Sequence, residues 1–153
     1  MIQIDKALLD DLFEKAKESD RLRMNYDLRT STSDNSQRML NAMLPGTVVP
    51  VHRHPQSNEN VILLCGRLDV VIYGLSPTLS SQGEKCLVTK ERIVLDATIG
   101  TFGCVIPAGA WHTVEVLEPS VIYEAKDGSY GQDGSETMEE YLLRQNFEIK
   151  KDG

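Results

Sequence analysis

The sequence predicts an all-β domain, an antiparallel sandwich or barrel with one short helix at each end. Three observations lead to this prediction. The chain has 153 residues, strand-forming runs follow one another through its middle, and helical spacing of apolar residues occurs only towards its ends. A chain of this length buries about two-thirds of its unfolded surface, as one core requires. Short strands separated by turn residues favour antiparallel pairing over alternating βαβ units.

The N-terminal helix is predicted over residues 5–18, with Asp5 as its N-cap because a carboxylate accepts from the free amides of a first turn. Its apolar side consists of Leu8, Leu9, Leu12, Phe13 and Ala16. Residues 21–36 are polar and rich in turn formers, which predicts a surface connection with a short extended piece near residues 25–29. Asn25, Tyr26 and Arg29 would be lid residues if this connection covered a barrel end, but an ordinary surface loop is the expectation.

The predicted strands follow this connection. They read QRMLNAML, VVPVHRH, ENVILLC, LDVVIYGL, KCLVTKERIVL, GTFGCVIP, WHTVEVL and SVIYEA. The turn signals PGT, GR, AG and EP separate several of them. Ser135 is the expected N-cap of a second helix containing Met138, Tyr141 and Leu142. One domain is therefore expected, with a helix and polar connection at 1–35, a β-barrel at 36–130, and a helix and tail at 131–153.

The charge and the cysteines exclude several classes of function. The chain has 16 basic and 23 acidic residues, a net charge of −7, which would repel a nucleic acid backbone. The longest apolar run, 61–65, is far shorter than the roughly twenty residues of a membrane helix. The N-terminus carries acids where a signal peptide is basic, so a cytoplasmic location is expected. Three widely spaced cysteines without a CxxC pair are expected to be reduced.

Two of the three histidines, His52 and His54, stand one residue apart in an extended apolar stretch, so both project from the same face of a strand. Glu59 opens the next run, which is expected to return antiparallel beside them. His112 lies on a further strand, and the three imidazoles and the carboxylate converge if the sheet closes into a barrel. Such a set suits one divalent ion, Fe, Mn, Ni, Co or Zn, with up to two octahedral positions open.

The spacing of these residues resembles the two signatures of the cupin superfamily. The stretch GTVVPVHRHPQSNENVILLCG, residues 46–66, matches G(X)5HXH(X)3,4E(X)6G at every fixed position. Pro107, Gly109 and His112 match the core of the second signature, PXG(X)2H. The resemblance implies a single cupin domain, an antiparallel jelly-roll barrel with a mononuclear metal site. The ligands that it implies are His52, His54, Glu59 and His112.

A narrower resemblance covers roughly residues 20–130. The runs MNYDL, QRMLNAMLPGTVVPVHRHP, GRLDVVIYG and IPAGAWHTVEVLEPSVIYEAKDGSY are similar to the WbuC-type cupin metalloproteins, whose name is linked to O-antigen gene clusters. This implies an isomerase or epimerase acting on a small sugar or sugar acid in polysaccharide-related metabolism. An Fe(II)-dependent dioxygenase and a non-catalytic metal-dependent binding or sensing protein remain open as alternatives. The similarity ends before the C-terminal GQDGSETMEEYLLRQNF.

Four further residues are candidates for contact with a small polar or acidic metabolite. Gln37 and Arg38 are neighbours on one strand, so one of them faces away from any pocket; Arg38 would clamp a carboxylate or phosphate. Tyr130 follows the last strand and would cap the pocket mouth. Glu124 is the candidate catalytic residue. A two- or four-residue hairpin loop before it turns it outward, whereas a three-residue loop places it beside His112.

A homodimer is expected because a short sheet leaves exposed edges that natural proteins usually cover. Trp111 neighbours a predicted ligand and should point away from it, towards a packed sheet or a second chain. Leu79 and Val88 are further apolar residues expected at such a contact.

Overall fold

The protein contains one curled nine-stranded sheet in a computed structural model that describes residues 1–129, 131–147 and 149–151. The strands are β1 (Arg23–Asp27), β2 (Ser36–Met43), β3 (His52–Arg53), β4 (Glu59–Leu79), β5 (Lys85–Asp96), β6 (Gly103–Ile106), β7 (Trp111–Asp127), β8 (Glu136–Thr137) and β9 (Ile149–Lys151). The helices are α1 (Lys6–Glu18) and α2 (Met138–Arg144), with a single 3-10 turn at Ala97–Ile99. The predicted all-β class with a helix at either end is confirmed.

The two long strands β4 and β7 give the sheet its curl. They pair antiparallel along most of their length, and each has different neighbours at its two ends. Near its start β7 pairs with β3 at His112, and over residues 120–127 it pairs with β2. The first residues of β4 pair with β6 and the later ones with β5. One strand pair therefore belongs to both halves of the barrel.

The turns predicted at GR and EP are wrong, because both dipeptides lie inside β4 and β7. The β4–β7 register shifts there, between Leu63 and Leu68. Gly66 adopts φ +88°, and a Cβ added to it would lie 2.2 Å from the carbonyl oxygen of Pro119. Ser120 Oγ accepts a hydrogen bond from Arg67 N at 3.0 Å. The turn residues of the two strands thus face each other and form a bulged corner where the barrel bends.

Three apolar clusters hold this architecture. The barrel interior contains Met43, Val61, Leu63, Leu68, Val70, Leu95, Ile106 and Ile122. A second cluster lies outside the sheet, where Leu12 and Ala16 of α1 are buried and Leu40, Ala42 and Val121 meet the helix. The third cluster joins Trp111 to Met138 and Leu142 of α2. The outer face of β2 is therefore occupied by α1, and its inner face looks into the barrel.

The connection over 21–36 contains the extended piece predicted near residues 25–29, which is β1, Arg23–Asp27. β1 pairs with β2 over five residue pairs, so the sheet begins before residue 36, where the barrel was expected to begin. The N-cap of α2 is Thr137, not Ser135, because Thr137 accepts from Glu140 N in a capping box and Ser135 has other hydrogen-bond partners. Asp5 caps α1 as predicted, accepting from Leu8 N at 3.0 Å.

The apolar residues expected at a dimer contact are not all at the surface. Leu79 and Val88 are exposed, but Trp111 is only 8% exposed because Tyr141 of α2 packs on it, with the ring centroids 5.4 Å apart. The three cysteines are free thiols. Within the described part of the chain, no helix is long and apolar enough to cross a membrane.

Candidate metal centre

The structure brings the four predicted ligand residues together at one end of the barrel. His52 lies on β3, His54 just after it, Glu59 at the start of β4 and His112 near the start of β7. One ligand atom from each lies within 4.8 Å of all the others. The expectation that Glu59 lies on a strand paired with β3 is wrong, because β3 pairs with β7 and β8. It is the direct pairing of His52 with His112 that brings the histidines together.

Hydrogen bonds at Nδ1 turn the opposite ring nitrogens of two histidines towards this cluster. His52 Nδ1 lies 2.8 Å from the carbonyl oxygen of Pro50, and His112 Nδ1 lies 2.9 Å from that of Ala110. Since a carbonyl only accepts, both Nδ1 atoms carry the proton and both Nε2 atoms offer a lone pair. The buried His112 Nε2 has no hydrogen-bond partner in the described part of the chain. A buried nitrogen lone pair that no donor satisfies is suited to binding a metal ion. These residues therefore fit the divalent ion that the sequence predicts.

The electrostatics favour the ligand protonation states. Burial, together with the neighbouring His112, lowers the pKa of His52 to about 4, and burial lowers the pKa of His112. Burial on its own raises the pKa of the Glu59 carboxyl, but its contact with His54 and the proximity of His112 and His52 outweigh burial, and the net pKa is lowered. Neutral imidazoles beside an ionised carboxylate are the states that bind a divalent cation.

His54 is held by a network from the C-terminal segment that the sequence did not reveal. Its Nδ1 lies 2.6 Å from Ser135 Oγ, and the Ser135 hydroxyl donates to Asp133 Oδ2 at 2.7 Å. Asp133 also forms a buried ion pair with Lys126. Because the serine proton goes to Asp133, its oxygen accepts from His54 Nδ1–H, and His54 Nε2 faces Glu59 Oε2 at 2.5 Å. Such partners orient metal ligands in other proteins.

The same segment is anchored to β3 on its other side. Thr137 of β8 pairs with His52, and Met138 N donates to the carbonyl oxygen of Val51 at 2.7 Å. The Arg53 side chain, which alternates with the two histidines, donates to Glu136 at 2.8 Å and lies over the Trp111 ring at 4.4 Å. Residues 133–138 therefore form a wall of the site.

Glu124 faces the barrel interior. It pairs with Met39 of β2 on one side and with Val61 of β4 on the other. Burial and then the charge of Glu59 raise the pKa of Glu124 to about 8, although a hydrogen bond with Asn41 lowers it. The Glu124 side chain keeps some accessible surface. The predicted hairpin between His112 and Glu124 does not exist, so loop length does not set this orientation. The pairing of β7 with β4 sets it instead.

The other predicted substrate contacts are divided between the faces of β2. Gln37 is buried on the side of Met39 and Asn41. Arg38 lies on the opposite side, where it forms an ion pair with Asp34 at 2.6 Å and lines a surface groove of about 630 Å³. The structure does not bring Arg38 to the four-residue cluster, because neighbouring residues on a strand point to opposite faces. Tyr130 lies outside the described residues.

Comparison with known proteins supports the fold. A family model described as a domain of unknown function (DUF6016) matches residues 4–83. No curated protein matches the chain significantly.

Solved structures that match include an oxalate oxidase in complex with the substrate analogue glycolate, at 18% identity and a TM-score of 0.54, covering 84% of this chain and 61% of that one. The oxalate decarboxylase of Bacillus subtilis matches at 19% and 0.52, covering 78% and 28%. CapF with the inhibitor 3-isopropenyl-tropolone matches at 16% and 0.56, covering 78% and 32%. The chain spans less than two-thirds of each of these chains. At these identities the likeness shows the cupin fold, as the motifs implied.

Proposed function

The chain belongs to the DUF6016 family, and we propose that it is a metal-dependent cupin enzyme of isomerase or epimerase type acting on a small sugar or sugar acid. The observation that carries the proposal is the position of Glu124. It is an ionisable carboxyl facing the same barrel interior as the four-residue cluster, and burial and then the charge of Glu59 raise its pKa. Isomerisation and epimerisation need a group that moves a proton beside a stabilised oxyanion.

The residues divide this work between them. His52, His54, Glu59 and His112 would hold a divalent ion, which would supply electrophilic stabilisation of a carbonyl or hydroxyl oxygen. Glu124 takes and returns the proton at the adjacent carbon. Its pKa of about 8, raised by burial and by the charge of Glu59, lets it exchange a proton near neutral pH. The hydrogen bond with Asn41 orients the carboxyl.

The comparisons add support by analogy. The oxalate oxidase is described with glycolate, a hydroxy acid, as its substrate analogue, and the Bacillus subtilis oxalate decarboxylase with Mn(II) centres. A small hydroxylated acid and Mn²⁺ are therefore the first ligand and metal to test. The WbuC-like motifs favour a substrate from polysaccharide-related metabolism.

The test has two parts. Elemental analysis of protein purified without chelator should give one divalent ion per chain. The metal-loaded protein is then incubated in D₂O with aldoses, ketoses and sugar acids, and deuterium incorporation at carbon is followed by NMR. We expect incorporation by the wild type and by Glu118→Gln, a control at an exposed glutamate, and at least about a hundredfold less by Glu124→Gln.

Three outcomes would contradict the proposal. Oxygen consumption without carbon exchange favours the dioxygenase. Metal-dependent binding of these compounds without either reaction favours a non-catalytic sensor. Equal exchange by Glu124→Gln and the wild type removes Glu124 from the mechanism.

We also propose a homodimer in which the exposed Leu79 and Val88 contribute to the contact, since exposed apolar side chains at a sheet margin favour association. Light scattering at micromolar concentration should give twice the chain mass. A measured mass of 17.1 kDa, the value for one chain, contradicts the dimer.

A further inference from the structure

The inner face of β2 carries two amide side chains with unsatisfied oxygens. Gln37 and Asn41 are 7% and 9% exposed, and among the described residues neither Gln37 Oε1 nor Asn41 Oδ1 has a hydrogen-bond partner. Met43, on the same face of the strand, belongs to the core inside the barrel, so alternation places both amides on the interior side. A buried carbonyl oxygen left without a donor costs about 1–3 kcal/mol. Two of them on one wall point to a ligand that supplies the donors.

These amides flank the Glu124 carboxyl. Gln37 pairs with Lys126 and Met39 with Glu124, so Glu124 lies diagonally between the two amides across the strand pair. The Asn41 side chain forms a hydrogen bond with it. Met39 and Glu124 both keep accessible surface although they face inward. The amide wall, defined as Gln37, Asn41 and Glu124, therefore keeps some solvent access at Glu124 and at the neighbouring Met39.

The cations close to this wall are engaged by other groups. Lys126 is buried, with a side chain 2% exposed, in its ion pair with Asp133, and it also donates to Gly128 O at 3.2 Å. Arg23, whose charge reaches Glu124, donates to the carbonyl oxygen of Val48 at 2.7 Å. Arg38 is on the other face of β2, paired with Asp34. The wall thus offers neutral donors and acceptors rather than a site for a second anionic group.

We propose that Gln37 and Asn41 bind hydroxyl groups of the substrate, and that the substrate is an unphosphorylated polyhydroxy acid or sugar. This rests on the proposed function, since the carboxylate or carbonyl end is taken to lie at the four-residue cluster. Hydroxyls both donate and accept, which satisfies the free amide oxygens and the amide N–H groups together. A site built to pair hydroxyls discriminates against analogues that lack them, because its buried polar groups are then unpaired.

The test uses four acids that share a carboxylate and an α-hydroxyl. Lactate has no further hydroxyl, glycerate has one, threonate has two, and 3-phosphoglycerate has a phosphate instead. Binding to the Mn²⁺-loaded protein is measured by calorimetry, with Mn²⁺ stoichiometry determined on the same samples. We expect each added hydroxyl to tighten binding by about two- to tenfold and 3-phosphoglycerate to bind at least about tenfold more weakly than glycerate.

The variants are Gln37→Met and Asn41→Leu, which remove an amide with little change in volume, and Arg38→Met as the control on the outer face. Each of the first two should reduce the preference for glycerate and threonate over lactate, because one of the two amides is lost, whereas the control should behave as the wild type. Asn41→Ser is measured in parallel, so that the test stands if the leucine variant does not fold.

The outcomes separate this inference from the proposed function. Protein that takes up neither Mn²⁺ nor Fe, Ni, Co or Zn as a divalent ion contradicts the proposed function and with it the inference. Mn²⁺-loaded protein contradicts the inference alone if it binds the four acids equally, binds none of them, or prefers 3-phosphoglycerate. A preference for glycerate that is lost in Arg38→Met and kept in the amide variants would assign the substrate contact to Arg38.

Discussion

Replacing Ser135 by alanine tests whether the C-terminal segment sets the metal affinity. The substitution removes the acceptor of His54 Nδ1–H, which lies 2.6 Å away. It leaves Asp133 with its Lys126 ion pair and with its hydrogen bond from the residue 135 backbone N–H at 3.1 Å. The fold should therefore lose little stability, and the effect should fall on the orientation and tautomer of one predicted ligand.

The substitution removes two hydrogen bonds, the one from His54 Nδ1 and the one from the Ser135 hydroxyl to Asp133 Oδ2, and the expected loss of metal affinity follows from the first. A buried donor left without its acceptor costs about 1–3 kcal/mol. Removal of such an outer partner usually weakens metal binding by about 10- to 100-fold, which corresponds to about 1.4–2.7 kcal/mol. Asp133→Asn should instead affect folding stability, because it leaves the buried Lys126 charge unpaired. It should lower the free energy of unfolding by about 3–5 kcal/mol.

Competition with a chelator of known affinity measures the dissociation constant for Mn²⁺, and urea unfolding of the metal-free protein measures stability. Ser57→Ala is the matched control, since that hydroxyl donates to the carbonyl oxygen of Asp127 at 3.0 Å and not to a ligand. If Ser135→Ala binds Mn²⁺ as tightly as the wild type and Ser57→Ala do, the C-terminal network does not position His54.

Three further predictions concern other parts of the molecule. Between about pH 4.5 and 8, Glu124 is ionised in the unfolded chain but keeps its proton in the folded protein, so this residue makes the free energy of unfolding fall as pH rises. Urea unfolding of the metal-free Glu124→Gln variant at pH 5 and pH 8 should lack that fall. If the difference in free energy between the two pH values is the same in the variant and the wild type, Glu124 is not a buried acid. His112→Ala should abolish stoichiometric Mn²⁺ uptake but leave the far-UV circular dichroism spectrum unchanged, because the barrel core does not depend on the ion. If the variant still takes up Mn²⁺, His112 is not a ligand. Gly66→Ala should lower the free energy of unfolding by about 2–5 kcal/mol, because Gly66 has a left-handed φ and an added Cβ would clash with Pro119 O. Gly83 has φ +80° and no described atom within 4 Å of an added Cβ, so Gly83→Ala should cost about 1–2 kcal/mol. Equal urea midpoints for the two variants contradict the bulged corner.

Several features were predictable from short stretches of sequence. The pair His52 and His54 projects from one face because strand side chains alternate with a period of two, and the spacing to Glu59 and His112 matches the cupin signatures. Asp5 caps α1 because capping needs only the residues of one turn. The N-cap predicted at Ser135 was wrong for two reasons: a competing cap, Thr137, stands two residues later, and the Ser135 hydroxyl is hydrogen-bonded to His54, which is distant in sequence.

By itself, the sequence determined the fold class, the helix at each end and the four residues that meet in the cluster, because periodicity and motif spacing record local geometry. The tertiary structure alone decided that Glu124 faces inward, since a register of long strands with a bulge at Gly66 sets its face and a one-residue slip would reverse it. It likewise decided that Gln37 and not Arg38 looks into the barrel, since that depends on which face of β2 packs against α1. The contact of Ser135 with His54 joins residues 81 positions apart. No local pattern encodes such a contact, because only the folded chain brings the two residues within hydrogen-bond distance.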